Sequence, residues 1–303
     1  MSAAEAKKDT SLLSELKAAA ARLLHSSAND MGMPDPEPIW GEPLFGVASG
    51  ADPLWNEFKE TAVGIRHWTP LEAFLLAYPE ETDVRPEDLS VLVWVLPQTQ
   101  ATIEANRRET FQPSERWIRS RWFGETEINA PLRRLMLEES HNRGIQAVVA
   151  SLLPEFASGA DTWSAFGQAS YFSERHAAYA AGLGTFGLSD GLITRAGKAH
   201  RLGCIILRAQ LEPTVRPYTS HLEYCLFFKD GSCGMCVKRC PAGSLSMEGA
   251  AGRDKEACLR HLRQTTMPYI KETWGWTDFY GCGLCQTRVP CESKIPGQAA
   301  AAR

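Results

Sequence analysis

Of the nine cysteines in this chain of 303 residues, eight fall in its last third, at spacings that bind metal. The first run is Cys225-x7-Cys233-x2-Cys236-x3-Cys240-Pro241, and the second is Cys258 followed by Cys282-x2-Cys285-x5-Cys291. A cubane [4Fe–4S] cluster takes four thiolates, so eight ligands make two clusters, and in two-cluster arrangements the cysteine before proline serves the other cluster. Interleaving therefore assigns Cys225, Cys233, Cys236 and Cys291 to one cluster and Cys240, Cys258, Cys282 and Cys285 to the other. Such a pair passes electrons one at a time. Zinc is the alternative, because Cys233/Cys236 and Cys282/Cys285 form two knuckles. It leaves Cys225, Cys240, Cys258 and Cys291 unused. Disulfides need an oxidising compartment, and nothing in the sequence is secretory. The ninth cysteine, Cys204, sits in the apolar run 202–207 and reads as a small core residue.

A second chemical signal precedes the cysteines. Gly182, Gly184 and Gly187 stand in Gly-x-Gly-x-x-Gly spacing, but they close a helical segment and lead into a strand. A dinucleotide fingerprint has the opposite context. A helix stop explains Gly182 alone. Three glycines ahead of Ser189, Asp190, Thr194 and Gly197 suggest a loop packed on a large planar ligand. Further upstream, Trp117, Arg119, Arg121 and Trp122 set arginines among tryptophans, a pattern that binds carboxylates or phosphates or else docks a surface helix on the core. Trp274, Trp276, Phe279 and Tyr280 precede the last cysteine motif and would shield a cluster from water.

These residues need a scaffold. Leu12, Leu13, Leu16, Leu23 and Leu24 recur at helical spacing, so residues 1–40 read as an amphipathic helix and a linker, with Pro34, Pro36 and Pro38 in the latter. The run 91–96 reads as a buried strand, 130–142 as a helix stopped by Gly144, 145–153 as the next strand and 173–182 as a helix. Residues 191–194 and 204–211 resemble two further strands. Alternating helices and strands place an α/β domain at 41–219, a ferredoxin-like module at 220–296 and a disordered tail at 297–303, an α+β chain as a whole. A net charge of −4 offers no basic field, so no nucleic-acid partner is expected. No apolar leader or membrane-length segment is present, and a cytoplasmic location is expected.

The segments Ala181-Gly-Leu-Gly-Thr-Phe-Gly187, Gly191-Leu-Ile-Thr194 and Arg201-Leu-Gly203, followed by the Cys-Pro pair, Cys258 and Gly281-Cys-Gly-Leu-Cys-Gln286, resemble in their order epoxyqueuosine reductase and its relatives, which are similar in turn to reductive dehalogenases. The resemblance covers about residues 88–296. It implies a nitroreductase-like, cobalamin-binding domain followed by a two-[4Fe–4S] ferredoxin-like module. It implies an oxidoreductase in which the clusters reduce a bound base-off corrinoid to Co(I) for reductive chemistry on a small organic substrate, an epoxide or a carbon–halogen bond. It implies cobalamin held around Gly184, Gly187, Ser189, Thr194 and Gly203, with Gly182 in the same segment and Arg121 at the border of corrinoid or substrate. The partners expected are that substrate and a low-potential donor such as ferredoxin or flavodoxin. The sequence departs from the family at the catalytic aspartate, whose place falls near Gln168 with Asp161 the nearest acid upstream. It departs again in the seven-residue gap after Cys225, and the tRNA-binding extension of the family is not seen after the cysteines. A paralogue is therefore expected, distinct from the tRNA-modifying enzyme.

Reducing such a bond leaves an anion that must be protonated. Tyr171 is the expected phenolic donor, with His176 and Glu174 orienting or activating it. The competing reading makes Glu174 and Arg175 a solvated helix start capped by Ser173, and His176 a satisfied core histidine. The alternative function is an iron–sulfur electron carrier, or a protein that reduces or delivers a corrinoid for another enzyme.

Overall fold

The computed structural model describes residues 10–34, 37–156, 158–159, 169–248 and 253–298. Lys7 and Lys8 of the N-terminal segment, Asp161, Gln168 and most of the tail lie outside them. The elements in order are α1 (Thr10–Leu24), β1 (Leu44–Ser49), α2 (Leu54–Glu57), α3 (Pro70–Ala77), β2 (Ser90–Pro97), α4 (Gln100–Arg108), α5 (Glu115–Phe123), α6 (Ala130–His141) and β3 (Ala147–Val148). There follow β4 (Ser158–Gly159), β5 (Ala169–Ser170), α7 (Glu174–Ala180), β6 (Gly184–Phe186), β7 (Leu192–Thr194) and β8 (His200–Leu207). The cysteine-bearing part adds α8 (Leu226–Asp230), α9 (Met235–Lys238), α10 (Lys255–His261) and α11 (Met267–Trp274).

The centre is a four-stranded sheet in the order β1-β2-β8-β3, antiparallel at every pairing. The α/β expectation is corrected here to a mixed α+β fold, because β1 and β2 join through helices yet run back against each other. Strand β2 is buried at every position. Its side chains alternate between two cores: Val91, Val93 and Val95 meet α2, α3 and α7, whereas Leu92, Trp94 and Leu96 meet α1 and α6. That two-sided burial is why the strand reads as an unbroken apolar run.

The segment after α1 packs closely. The Asn29 amide donates to the Leu24 and Trp40 carbonyls (2.9 and 3.0 Å), accepts from the Trp40 amide and fixes the chain turn. Met31, Ile39 and Trp40 are buried. The expected linker is therefore part of the core. The strand expected at 204–211 starts earlier and ends at Leu207, and the one expected at 145–153 shrinks to two residues before a 3₁₀ turn.

Candidate functional site

The cysteines gather around two cavities. One is lined by Cys225, Cys233, Cys236 and Cys291 together with Gly187 and Ile193. The other is lined by Cys240, Cys258, Cys282 and Cys285 together with Trp117 and Arg121. This is the division that interleaving predicts. Among the described residues no three His, Cys, Asp or Glu side chains form the close grouping of a single-ion site. The thiols instead ring two spaces.

Local structure explains how each set closes. The seven residues between Cys225 and Cys233 fold as α8, which ends at Gly231 in the left-handed conformation (φ 73°) and returns the chain to its start. Cys236 rides on α9, and Cys240 follows it. Cys291 reaches the first set because the Lys198 and Ala199 amides donate to the Cys291 and Glu292 carbonyls (2.9 and 3.2 Å). Gly197 permits that approach, since a Cβ there would collide with the Glu292–Ser293 backbone. In the second set, Gly283 (φ 66°) lies under the Trp117 ring, where a Cβ has no room.

Arg239 ties the sets to the scaffold. Its guanidinium donates to the carbonyls of Leu284, Thr287, Glu109 and Asn106. Asn106 on α4 donates to the Cys282 carbonyl and the Thr287 hydroxyl. Burial pushes the Cys236 thiol up to about 11 and the Cys282 thiol up to about 12, with neighbouring thiols adding to the effect. Binding a metal would displace those protons.

A third, larger cavity of about 620 Å³ lies against both sets, and with its mouth the non-protein space reaches about 1690 Å³. That exceeds the usual small-molecule pocket of about 300–1,000 Å³. Its wall includes Cys285 and Arg253, which also line the second cysteine cavity, and Lys198, which also lines the first. Strand β8 contributes Leu202 and Cys204, and the loop before β7 contributes Ser189 and Gly191.

The electrostatics of this wall centre on Glu125. It accepts from Arg133 (2.5 Å) and Arg201 (2.8 Å). Burial would raise its pKa, but the two guanidiniums outweigh that and hold it at about 2. Arg133 also binds Glu174 (2.7 Å). Lys198 donates to the Ser189 hydroxyl (2.7 Å). Burial alone would lower its pKa, yet the thiols of Cys291, Cys285, Cys236 and Cys225 raise it. His200 hydrogen-bonds the Leu192 carbonyl through Nε2 (3.0 Å), and burial drives its pKa down to about 4, so the ring is neutral.

The expected site residues divide. Glu174, Ser189 and Arg121 line the large cavity. Gly187 borders the first cysteine cavity, with Cys225 Sγ 3.7 Å from where its Cβ would be. Tyr171 does not line the large cavity; its ring packs on Trp68 with centroids 5.0 Å apart. His176 is held between Phe58 and Phe186, both at 4.8 Å, and bonds the Ser173 hydroxyl through Nδ1 (2.8 Å). It is a satisfied core histidine. The glycines 182, 184 and 203 do not form an open cradle either. Gly182 caps α7 at φ 76° against Val215, Gly184 abuts the Ile193 backbone, and Gly203 lies beneath the Trp94 ring. Thr194 closes a turn by donating to the Gly197 carbonyl (2.8 Å). Cys204 is buried as expected and also reaches the cavity wall.

Arg133, Lys198, His200 and Arg253 were not singled out from the sequence. The signal available was the basic density of Arg195-Ala-Gly-Lys-Ala-His-Arg201, cations placed where the chain enters a buried strand.

In sequence, a stretch of 114 residues, 36% of the chain, is 35% identical to an epoxyqueuosine reductase of Listeria monocytogenes and covers 27% of that relative. The match thus spans about a quarter of the relative's length. No protein-family model matches the chain. Among solved structures, an epoxyqueuosine reductase is similar at a TM-score of 0.47 with 18% identity, covering 95% of this chain and 67% of that one. A catabolic reductive dehalogenase is similar at 0.45 with 16% identity, covering 71% and 27%. The chain is epoxyqueuosine reductase-like over the matched sequence.

Proposed function

We propose that the protein is an iron–sulfur reductase with two [4Fe–4S] clusters, holding a corrinoid and a small organic substrate in the large cavity. The observation that carries this reading is the pair of cavities, each ringed by four thiols, with Cys285 common to the second ring and the wall of the large cavity. Four thiols per space are the donor set of a cubane and exceed what a knuckle needs. Cys225, Cys233, Cys236 and Cys291 would hold one cluster, and Cys240, Cys258, Cys282 and Cys285 the other.

The size of the large cavity and its contact with the second thiol set fit a corrinoid. The wall that would hold it differs from the glycine cradle the resemblance implies: Ser189, Gly191, Leu192, Leu202 and Cys204 take that part. When bound, a corrinoid supplies a strongly reducing cobalt centre. The chain's own residues exclude water, hold charge and carry protons. Lys198 keeps a proton on Nζ beside Ser189 at the cavity wall, which makes that pair the candidate proton source in place of Tyr171. Arg133 keeps Glu174 engaged as an anion, so that carboxylate positions the cationic wall. A low-potential ferredoxin or flavodoxin is the proposed donor.

The test is anaerobic turnover of epoxide and organohalide substrates by cobalamin-loaded protein, comparing wild type with Lys198→Met. The reading expects product with wild type and a loss of about 10²-fold or more in the variant at unchanged iron content. Equal rates would remove Lys198 from the chemistry. Retention of iron but never of cobalt would turn the reading to an electron carrier.

A further inference from the structure

The large cavity is lined by six cations, Arg121, Arg133, Arg175, Lys198, Arg201 and Arg253, against two carboxylates, Glu125 and Glu174. This excess sits in a chain whose net charge is −4. Most of the six have partners. Arg133 binds Glu125 and Glu174, and Arg201 shares Glu125. Arg175 pairs with Asp190 (2.9 Å), Lys198 with the Ser189 hydroxyl, and Arg253 donates to Cys258 Sγ (3.6 Å). Arg121 forms no hydrogen bond or ion pair among the described residues, although it lines both the large cavity and the second cysteine cavity.

We propose that Arg121 and Arg201 form an oxyanion subsite in the large cavity, which takes a carboxylate or phosphate group of the bound molecule. The proposal rests on the reading of this cavity as a ligand site and extends it to the ligand's charge. A planar guanidinium offers paired donors matched to either group. Two like charges facing one desolvated space repel, and a bound anion relieves that cost. The charge of Arg201 and burial together depress the Arg121 pKa to about 9, as expected where the balancing anion comes from a ligand. The stem of Arg121 has its own support, since Cγ packs at Gly281, 3.2 Å from where a Cβ would be. The head group can therefore be changed with the stem in place.

The experiment measures binding by calorimetry at low salt, on iron-loaded protein free of corrinoid, with inorganic phosphate and with benzoate as probes. Wild type is expected to bind at least one of them. Arg121→Gln should weaken it about tenfold or more, because a charge-assisted hydrogen bond contributes about 1.5–3 kcal/mol. Arg121→Lys should retain part of the affinity. Arg119→Gln should leave it unchanged, since Arg119 stacks on Trp276 (4.9 Å) and pairs with Glu115. Failure of wild type to bind either probe, or equal affinity of wild type and Arg121→Gln, overturns the subsite. A second arm compares cobalamin with cobinamide, which lacks the nucleotide phosphate. Weaker cobalamin but unchanged cobinamide binding in Arg121→Gln assigns the anion to the corrinoid. Weaker benzoate with both corrinoids unchanged assigns it to the substrate. Failure of every form to retain a corrinoid would sink the reductase reading while leaving the probe titration to judge the subsite.

Discussion

Glu125 carries the heaviest electrostatic duty of any single side chain in the cavity wall, since it neutralises parts of both Arg133 and Arg201. Glu125→Gln keeps the shape and removes the charge. It should destabilise the fold by about 2–3 kcal/mol, toward the low end for a broken buried pair because the carboxylate is partly exposed; urea unfolding midpoints read this directly. The division of the thiols is testable one residue at a time. Cys291→Ser should remove roughly half the iron and spare the set built on Cys240 and Cys285, whereas Cys240→Ser should do the converse. Loss of all iron in both variants would mean that the sets do not assemble independently.

At the scale of elements, the turn Gly281–Cys285 depends on α5 and α4. Gly283→Ala asks for a Cβ inside the Trp117 ring at a left-handed backbone position. It should cost about 2–4 kcal/mol and release the iron held by the second set, seen as lost visible absorbance. Arg239→Ala frees four carbonyls from their donor and should have the same optical effect, with a lower thermal midpoint.

The elements themselves were unevenly legible. Strand β2, α6 with its Gly144 stop and α7 with its Gly182 cap follow from local pattern, because apolar period and glycine placement act over a few residues. The antiparallel pairing of the sheet depends on contacts between strands far apart in sequence, which no local pattern encodes. The thiol division was legible because it depends on ligand number and order. The cavity wall was not. Gly203 serves Trp94 across the sheet, and Tyr171 and His176 turn into aromatic packing, so neighbours in sequence to the glycine segment are not neighbours of the cavity.

For the whole molecule, three buried histidines set the acid response. Burial lowers His67 and His200 to about 4 and His176 well below 6.5. Each is neutral when folded and gains a proton on unfolding below pH 6.5. Stability is therefore full above that pH and falls as pH drops toward about 4. Glu125 adds a further loss between 4.5 and about 2, as the carboxylate is protonated. Denaturant midpoints measured from pH 7 to 4.5 should decline steadily, and a flat profile would contradict the neutral buried state of these rings. Among the described residues no helix is long and apolar enough to cross a membrane, so the protein can be handled without detergent in these measurements.

The central claim is that two thiol rings feed a corrinoid-sized cavity. Anaerobic reconstitution with iron and sulfide, then with cobalamin, tests it by counting iron, sulfide and cobalt per chain after desalting. The account predicts about eight irons, about eight sulfides and about one retained cobalt. About one or two zinc ions in place of iron, or about eight irons with no cobalt held, would contradict it.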